Sequence, residues 1–357
     1  MTAERVVVAM SGGVDSAVAA ARCVAAGYDV VGVSLRLAPH GTGSCCSLDD
    51  FHDAAAVADR LGIAHYVFDF RDLFDASVVQ PFVAEYLAGR TPNPCARCNQ
   101  TVKFDHLWRR ARELGAQHLA TGHYARIGRH PGSGTPMLRS AVDPTKDQTY
   151  FLFMLGSREL ERTLFPVGDS TKREVRAEAA RLDLPVADKP DSMEVCFVPR
   201  GDAAAFVERE APPASRRPGP IVDGAGAVLG RHEGVHRFTV GQRRGLQLGG
   251  GPARYVRRID AAAGTIVVAT SSDLACKGLI AEDVRWNGFG APSPEQRLAV
   301  RIRHRHAAIP CSVTAVDRGR ARIAFEEPGP LVTPGQAAVV YDGDYVLGGG
   351  WIAGELT

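Results

Sequence analysis

A run of apolar residues from Arg5 to Met10 (RVVVAM) is followed, across a short polar loop, by the alanine-rich stretch Ala17 to Ala26 (AVAAARCVAA) and then Gly27. The run predicts a buried strand, and the stretch predicts a helix that Gly27 stops. The alternation then repeats. Asp29 to Leu37 (DVVGVSLRL) predicts a second strand, Asp49 to Leu61 a helix ended by Gly62, and Ala64 to Phe70 (AHYVFDF) a third strand. Phe74 to Ala88 and Lys103 to Leu114 predict helices, and Gln117 to Thr121 (QHLAT) predicts another strand. Strands separated in this way by helices predict an α/β fold with a doubly wound parallel sheet, in which ligands sit beyond the carboxyl ends of the strands. The loop at Ser11 and the segment Thr121-Gly122-His123-Tyr124 both fall at such ends, so they can face one site.

From about Lys146 to Asp183 the pattern turns helical, which predicts an inserted or appended helical layer. After Gly201 it changes to short β-rich runs broken by Gly and Pro, as at Ala211-Pro-Pro and Leu248-Gly-Gly-Gly-Pro252. Thr265 to Thr270, Arg297 to Arg305 and Ala337 to Leu347 predict strands of small antiparallel sheets or barrels. Boundaries near 203 and 278 follow. They divide the chain into 1–203, a central β-rich domain at 204–278 and a C-terminal β-barrel-like domain at 279–357.

With 357 residues, 45% of them hydrophobic, the chain exceeds one compact core. Met1-Thr-Ala-Glu-Arg runs directly into a strand and no apolar stretch approaches ~18 residues, so neither a signal peptide nor a membrane span is expected and the cytoplasm is the expected location. Eight cysteines in such a chain then read as redox-active or metal-binding rather than as a disulfide scaffold. The net charge of +2 is unevenly spread: residues 200–357 hold 20 Lys and Arg against 16 Asp and Glu, and only Lys277 among those bases is lysine. Arginine suits planar contact with phosphates and bases, so this charge permits a nucleic-acid partner.

The loop between the first strand and helix reads Ser11-Gly12-Gly13-Val14-Asp15-Ser16. At a helix N-terminus the unpaired N–H groups and the positive end of the dipole favour an anion, and two glycines let the backbone approach it. No lysine follows the glycines, so this is not a Walker A loop, and G-x-G-x-x-G is absent too. A glycine pair after a strand also suits a plain tight turn, but no turn type demands both serines and Asp15.

Thr91-Pro-Asn-Pro-Cys95-Ala-Arg-Cys98-Asn99 is the second strong feature. Its prolines predict a rigid loop through Cys95, with Cys98 leading into the helix that begins near Lys103. A thiol near a helix N-terminus, with Arg97 beside it, gains thiolate character and nucleophilicity. A third cysteine, Cys196, lies about a hundred residues on in Asp191-Ser-Met-Glu-Val-Cys-Phe. The spacing alone leaves half of a zinc site, a redox pair and a cluster ligand set all open.

The Ser-Gly-Gly-x-Asp-Ser loop resembles the signature of the ATP pyrophosphatases, which split ATP to AMP and pyrophosphate while activating a carbonyl oxygen as its adenylate. Taken with the cysteines, the whole chain resembles the tRNA-specific 2-thiouridylases (the MnmA family). Besides the loop, the segments that carry the resemblance are Cys45-Cys46-Ser-Leu-Asp-Asp50, Gly89-Arg-Thr-Pro-Asn-Pro-Cys95, Cys98-Asn99 with Lys103-Phe104, and Ala120-Thr-Gly-His-Tyr124. They continue with Lys146-Asp-Gln148, Phe165-Pro-Val-Gly168, Asp191 to Phe197, Thr239-Val-Gly-Gln-Arg-Arg-Gly245 and Thr333-Pro-Gly-Gln336.

The resemblance implies an adenine nucleotide alpha hydrolase-like sheet and a transferase that thiolates the wobble uridine of tRNA. ATP with Mg²⁺ adenylates O2 of the base, Asp15 helps hold the metal, and Ala9, Met10, Ser11, Gly12, Gly13, Val14, Asp15, Ser16, Leu35 and Gly122 line the nucleotide. Cys98 is the nucleophile and Cys196 receives a persulfide from a cysteine desulfurase or relay protein, an oxidised Cys98–Cys196 pair being reduced afterwards. His123, Lys146, Asp147, Gln148 and Gln336 touch tRNA. With a tRNA substrate implied, the alternating stretch Arg301-Ile-Arg303-His304-Arg305-His306 reads as a strand whose arginines form a phosphate track.

One departure stands out, since some members have Asp where Cys95 stands, and that Asp is a candidate acid/base near the target uracil. A [4Fe-4S] cluster on Cys95, Cys98 and Cys196 would run the same reaction by another sulfur route. Two other readings remain, an amide-forming adenylating ligase and a non-catalytic redox sensor that binds ATP and tRNA. Cys23, Cys276 and Cys311 read as structural fillers.

Overall fold

The structure is a computed structural model that describes residues 3–37, 47–130, 134–191, 195–287, 290–316 and 319–356, with Arg200 described by its backbone alone. The chain forms two compact units. One holds Met1–Val78, Cys95–Gly201 and Asp344–Leu347, and the other Val79–Pro94, Asp202–Gly343 and Gly348–Thr357.

In chain order the first elements are β1 (Arg5–Ala9), α1 (Val14–Ala25), β2 (Asp29–Arg36), α2 (Leu48–Leu61), β3 (Ala64–Asp69) and α3 (Arg71–Phe74). A π-helical turn at Asp75–Val79 leads into α4 (Gln80–Leu87). Then come α5 (Pro94–Cys98), a π-helical stretch at Asn99–Leu107, α6 (Trp108–Glu113) and β4 (His118–Thr121). The hairpin β5 (Arg126–Arg129) and β6 (Pro136–Arg139), α7 (Ser157–Leu160), β7 (Thr163–Leu164) and α8 (Lys172–Arg181) follow.

The sheet of the first unit runs β3-β2-β1-β4-β7 with every pair parallel. That is the doubly wound arrangement the alternating pattern predicts. Val6, Val7 and Val8 are fully buried, as a central parallel strand covered on both faces requires. Val14, Ala17, Val18 and Ala20 of α1 join Val175 and Ala179 of α8 in the same core. The helix α2 starts where Ser47 and Asp50 close a reciprocal capping box, and it stops at Gly62 in the left-handed conformation.

Two local expectations change in this unit. The helix expected from Lys103 begins at Pro94 instead, because proline is well suited to the first helical position, where its missing N–H costs nothing. Of the layer expected at 146–183, the last part is the helix α8, but the earlier part is mostly not helix: Thr149–Phe151 is a single 3₁₀ turn, α7 is four residues long, and β7 extends the sheet. Leu152, Phe153, Met154 and Leu155 are all buried there, so the apolar run fills core without needing helical period. Short β5 and β6 carry too few residues for their pattern to be read.

The second unit adds α9 (Ala203–Glu210), β8 (Gly219–Val222), β9 (Val228–His232), β10 (Tyr255–Asp260) and β11 (Thr265–Ala269). These strands form a sheet in the order β10-β11-β8-β9 over Ile221, Val256, Ile266 and Val268. After them come β12 (Cys276–Trp286), β13 (Leu298–Arg301), β14 (Ile309–Val316), β15 (Arg320–Gly329), β16 (Ala337–Asp342) and β17 (Tyr345–Glu355). In the order β12-β15-β14-β13-β16-β17-β6-β5 the first six strands close into a barrel through a further β12–β17 pairing, and β6 and β5 extend the sheet from β17. The strand expected to continue to Arg305 ends at Arg301. Ile302 turns into the core, and Arg303 donates to Leu331 O at 3.3 Å and Thr333 Oγ1 at 3.1 Å, which breaks the alternation.

Candidate functional site

The helix α1 opens inside the Ser11–Ser16 loop, so Val14, Asp15 and Ser16 form its first turn. Its N-cap, Gly13, makes no side-chain cap, which leaves the first N–H groups for an anion. The loop is braced from within: Ser16 Oγ donates to Gly13 O at 2.9 Å and accepts from Ser11 N at 3.2 Å. Beyond the end of β1, Met10 N donates to Val33 O, and buried Ser34 donates to Met10 O at 2.8 Å. Leu35, the next residue of β2, is buried as well.

Gly122 closes the loop from the β4 side. A Cβ there would stand 2.6 Å from Ser16 N and 2.7 Å from the Asp15 carbonyl carbon. Gly122→Ala is therefore expected to push the first turn of α1 out of place and weaken binding of the nucleotide that the resemblance implies at least ~10-fold, a loss of about 1.4 kcal/mol in a calorimetric titration.

Asp15 is not free to meet a ligand directly. Its Oδ1 and Oδ2 accept from Lys172 Nζ at 2.7 and 2.8 Å, and Oδ1 also accepts from Tyr124 Oη at 2.8 Å. Burial, and then the charge of Asp15, push the Tyr124 phenol up, so it stays a donor. Lys172 also pairs with Asp191 at 2.8 Å, and Asp191 pairs in turn with Lys146 at 2.7 Å and Arg176 at 2.8 Å. Two carboxylates and three cations thus share one network.

Burial pushes the Asp191 carboxyl up, but hydrogen bonds from Lys146 and Lys172 and their charges outweigh it and bring it down to about 2. A depressed carboxylate stabilises the fold fully above its unfolded value, near about pH 4, and loses that contribution as pH falls through its folded value. The melting curves of the wild type and Asp191→Asn are therefore expected to lie apart at neutral pH and to converge between about pH 4 and the folded value near 2. Scanning calorimetry across that range checks it.

The cysteines fall into two classes. Cys23 and Cys311 are buried, and burial pushes both thiols up to about 12, which suits inert fillers. Burial pushes Cys276 up too. Cys95 is exposed, Cys98 is buried at 7% exposure, and Cys196 lies between. Because the helix starts at Pro94, Cys95 occupies the first turn and Cys98 comes one turn later, so the helix-terminus argument made for Cys98 moves to Cys95. After Cys98, Asn99 Nδ2 donates to Phe151 O at 3.0 Å while its buried Oδ1 has no partner. Phe197, next to Cys196, packs edge-on against Phe74 at 5.5 Å. Among the described residues no three His, Cys, Asp or Glu side chains are grouped to hold a metal. Cys45 and Cys46 lie outside the described residues.

Gly122 and His123 connect the phosphate loop to the cysteine helix. Rings of His123, Phe104 and Phe165 stand 6.1 to 6.3 Å apart, and Phe104 belongs to the π-helical stretch after Cys98. Burial and then the charge of Lys103 hold the His123 imidazole well below its ordinary value, and Nδ1 meets Thr121 Oγ1 at 2.7 Å. A second connection runs from Asn99 through Phe151 to Gln148, which exchanges hydrogen bonds with the Tyr124 backbone. Asp147 is buried and accepts from Ala141 N, while Lys146 is held on Asp191. In the second unit, Gln336 Nε2 donates to Thr91 O at 2.9 Å and Pro92 O at 3.3 Å, and Arg305 is exposed while His304 is partly buried.

Lys172 escapes sequence reading because it stands 157 residues from Asp15 in a helix that reads as an ordinary charged surface. Tyr124 and Asp191 carry a weaker signal, as members of the segments Ala120-Thr-Gly-His-Tyr124 and Asp191 to Phe197 that carry the resemblance.

Comparisons with known proteins cover nearly the whole chain. Residues 4–200 match the family described as tRNA methyl transferase HUP domain, 204–270 its PRC-barrel domain, and 276–352 the aminomethyltransferase beta-barrel domain. A tRNA-specific 2-thiouridylase MnmA of Geobacter metallireducens is 50% identical over 99% of this chain and 98% of its own length. Its counterpart in Solibacter usitatus is 49% identical over 99% of this chain and 100% of its own length. Among solved structures, the U34-tRNA thiolase NcsA from Methanococcus maripaludis with its [4Fe-4S] cluster is 17% identical, with a TM-score of 0.37 over 58% of this chain and 64% of that one.

Proposed function

This chain belongs to the tRNA-specific 2-thiouridylase family, and on that premise we propose that it uses ATP to replace O2 of a tRNA wobble uridine with sulfur. The observation that carries the reading is the joining, within one compact unit, of an uncapped helix N-terminus at Ser11–Ser16 to the helix of Cys98 through Gly122, His123 and Phe104. An anion site alone binds phosphate, and a thiol alone exchanges sulfur. Together they suit adenylation followed by sulfur attack.

In this reading O2 of the uracil attacks the α-phosphorus, the base gives up its N3 proton, and pyrophosphate leaves. The terminal sulfur of a persulfide on Cys196 then bonds to C2 and AMP departs. Cys98 thiolate attacks the inner sulfur, so a Cys98–Cys196 disulfide forms, the thiocarbonyl is released, and an external reductant restores both thiols. The sulfur arrives from a persulfide-bearing relay partner or a cysteine desulfurase. The target base must leave its stack to reach the loop. His123, Lys146, Gln148, Gln336 and Arg305 supply contacts for the rest of the tRNA, whereas Asp147 is buried and Arg303 is held by Leu331 and Thr333, and the three matched spans support a division near 203 and 278.

Mg²⁺ accompanies ATP as part of the substrate. Asp15 would hold it only by giving up its pairing with the Lys172 ammonium. In a radiolabel assay, AMP and pyrophosphate are expected in equal amounts and only when tRNA with an unmodified wobble uridine is present. Release that ignores tRNA, or that follows ammonia or glutamine instead, would remove the basis for this reading.

A further inference from the structure

Each round of sulfur transfer leaves Cys98 joined to Cys196, and a second round must wait until that bond is reduced. Thiol–disulfide exchange depends on access to the sulfur attacked. Cys98 is buried at 7% exposure, so an external dithiol does not reach its sulfur, and Cys196 is only partly open. Cys95 is exposed.

Cys95 and Cys98 ride on one helical segment. The Cys98 backbone has φ −59° and ψ −45°, and α5 passes through the π-helical stretch directly into α6. Ala96, between the two thiols, is fully buried, and Thr101 Oγ1 donates to Arg97 O at 2.8 Å, so the turn that carries them is fixed against the core. Residues three apart on a helix share a face with Cβ atoms about 5–6 Å apart, and a disulfide needs about 3.5–4.5 Å. The remaining approach of about 1 Å falls on the terminal turn, where Pro94 has no N–H to lose. An exposed thiol one turn ahead of a buried one is placed to carry a disulfide from the interior to the surface.

Resting on the persulfide reading above, we infer that Cys95 is the resolving thiol that returns the protein to its starting state. Its thiolate attacks the Cys98 sulfur of the Cys98–Cys196 disulfide. A Cys95–Cys98 bond forms, the bond to Cys196 breaks, and Cys196 leaves with the electron pair as a thiolate ready for the next persulfide. A dithiol reductant then attacks Cys95 at the surface, Cys98 leaves as thiolate, and the second thiol of the reductant releases Cys95. Two electrons and two protons pass from the dithiol to the protein, and the dithiol ends as a disulfide.

The test follows disulfides and 2-thiouridine in the full-length protein, loaded from a persulfide donor and given ATP and unmodified tRNA, first without reductant. Peptide mass mapping after acid quench and alkylation is expected to show Cys98–Cys196 early and Cys95–Cys98 at its expense later. A wild type that thiolates but shows no Cys95–Cys98 disulfide at any time overturns the inference. With reduced thioredoxin then added as the dithiol, Cys95→Ser is expected to make up to one 2-thiouridine per protein and to continue at least tenfold slower than the wild type, held as Cys98–Cys196. A steady rate within twofold of the wild type overturns the inference, and so does loss of the first turnover, which assigns Cys95 to the thiolation step itself. Wild type that forms neither 2-thiouridine nor a Cys98–Cys196 disulfide overturns the reading beneath it instead. If Cys95→Ser does not fold, the wild-type disulfide map decides alone.

Discussion

Cys98→Ser is expected to lower 2-thiouridine formation at least ~1,000-fold while tRNA-dependent AMP release survives for a first turnover. The split follows from chemistry. Adenylation needs the loop and ATP, whereas release of sulfur from a Cys196-bound disulfide needs a second thiolate. Serine is close to cysteine in size, and on a helix its hydroxyl can hydrogen-bond a carbonyl of the preceding turn, so the substitution spares the fold. Cys196→Ser should give the same end result by another route, because no protein persulfide forms. Quench-flow analysis of AMP beside nucleoside analysis of the tRNA separates the two steps. Thiolation within tenfold of wild type in Cys98→Ser would contradict the assigned role.

Gly12→Ala is the second change with a large expected effect. Gly12 has φ +71°, a conformation that costs a side-chain-bearing residue about 1–2 kcal/mol. Its Cβ would also lie 2.3 Å from Asp50 O and 2.8 Å from Asp50 Cα, which is backbone and cannot rotate aside. Asp50 is fixed in turn by the Ser47 capping box and by Lys189 at 2.7 Å. Either α2 shifts or the loop does, so a loss of at least about 3 kcal/mol in denaturant unfolding is expected, with ATP binding lost at least ~100-fold. Unchanged stability and affinity would mean that the loop tolerates a different path.

The opening of the chain was legible because two signals agree there: an unbroken apolar strand and a glycine loop that needs close backbone approach. The run of strands to Thr121 was legible for the same reason. The helix of Cys98 was not, since Pro92 and Pro94 read as loop formers, and only the first-turn placement of Pro94 makes the second compatible with a helix. The arginine alternation at 301–305 failed because Ile302 and Arg303 are drawn into the interior by burial and by hydrogen bonds from distant segments. The charge network is the clearest case of information absent from local pattern. Asp15, Tyr124, Lys146, Lys172, Arg176 and Asp191 come from five separate stretches, and only the parallel sheet with α8 packed on α1 brings them together.

The central claim is that this site uses ATP to put sulfur at C2 of a wobble uridine. Mass analysis of nucleosides from tRNA incubated with the full-length protein, ATP and a persulfide donor tests it most directly. The account predicts 2-thiouridine that appears only when ATP is present and disappears in Cys98→Ser. Unmodified uridine despite steady AMP release, or thiolation without ATP, would contradict it.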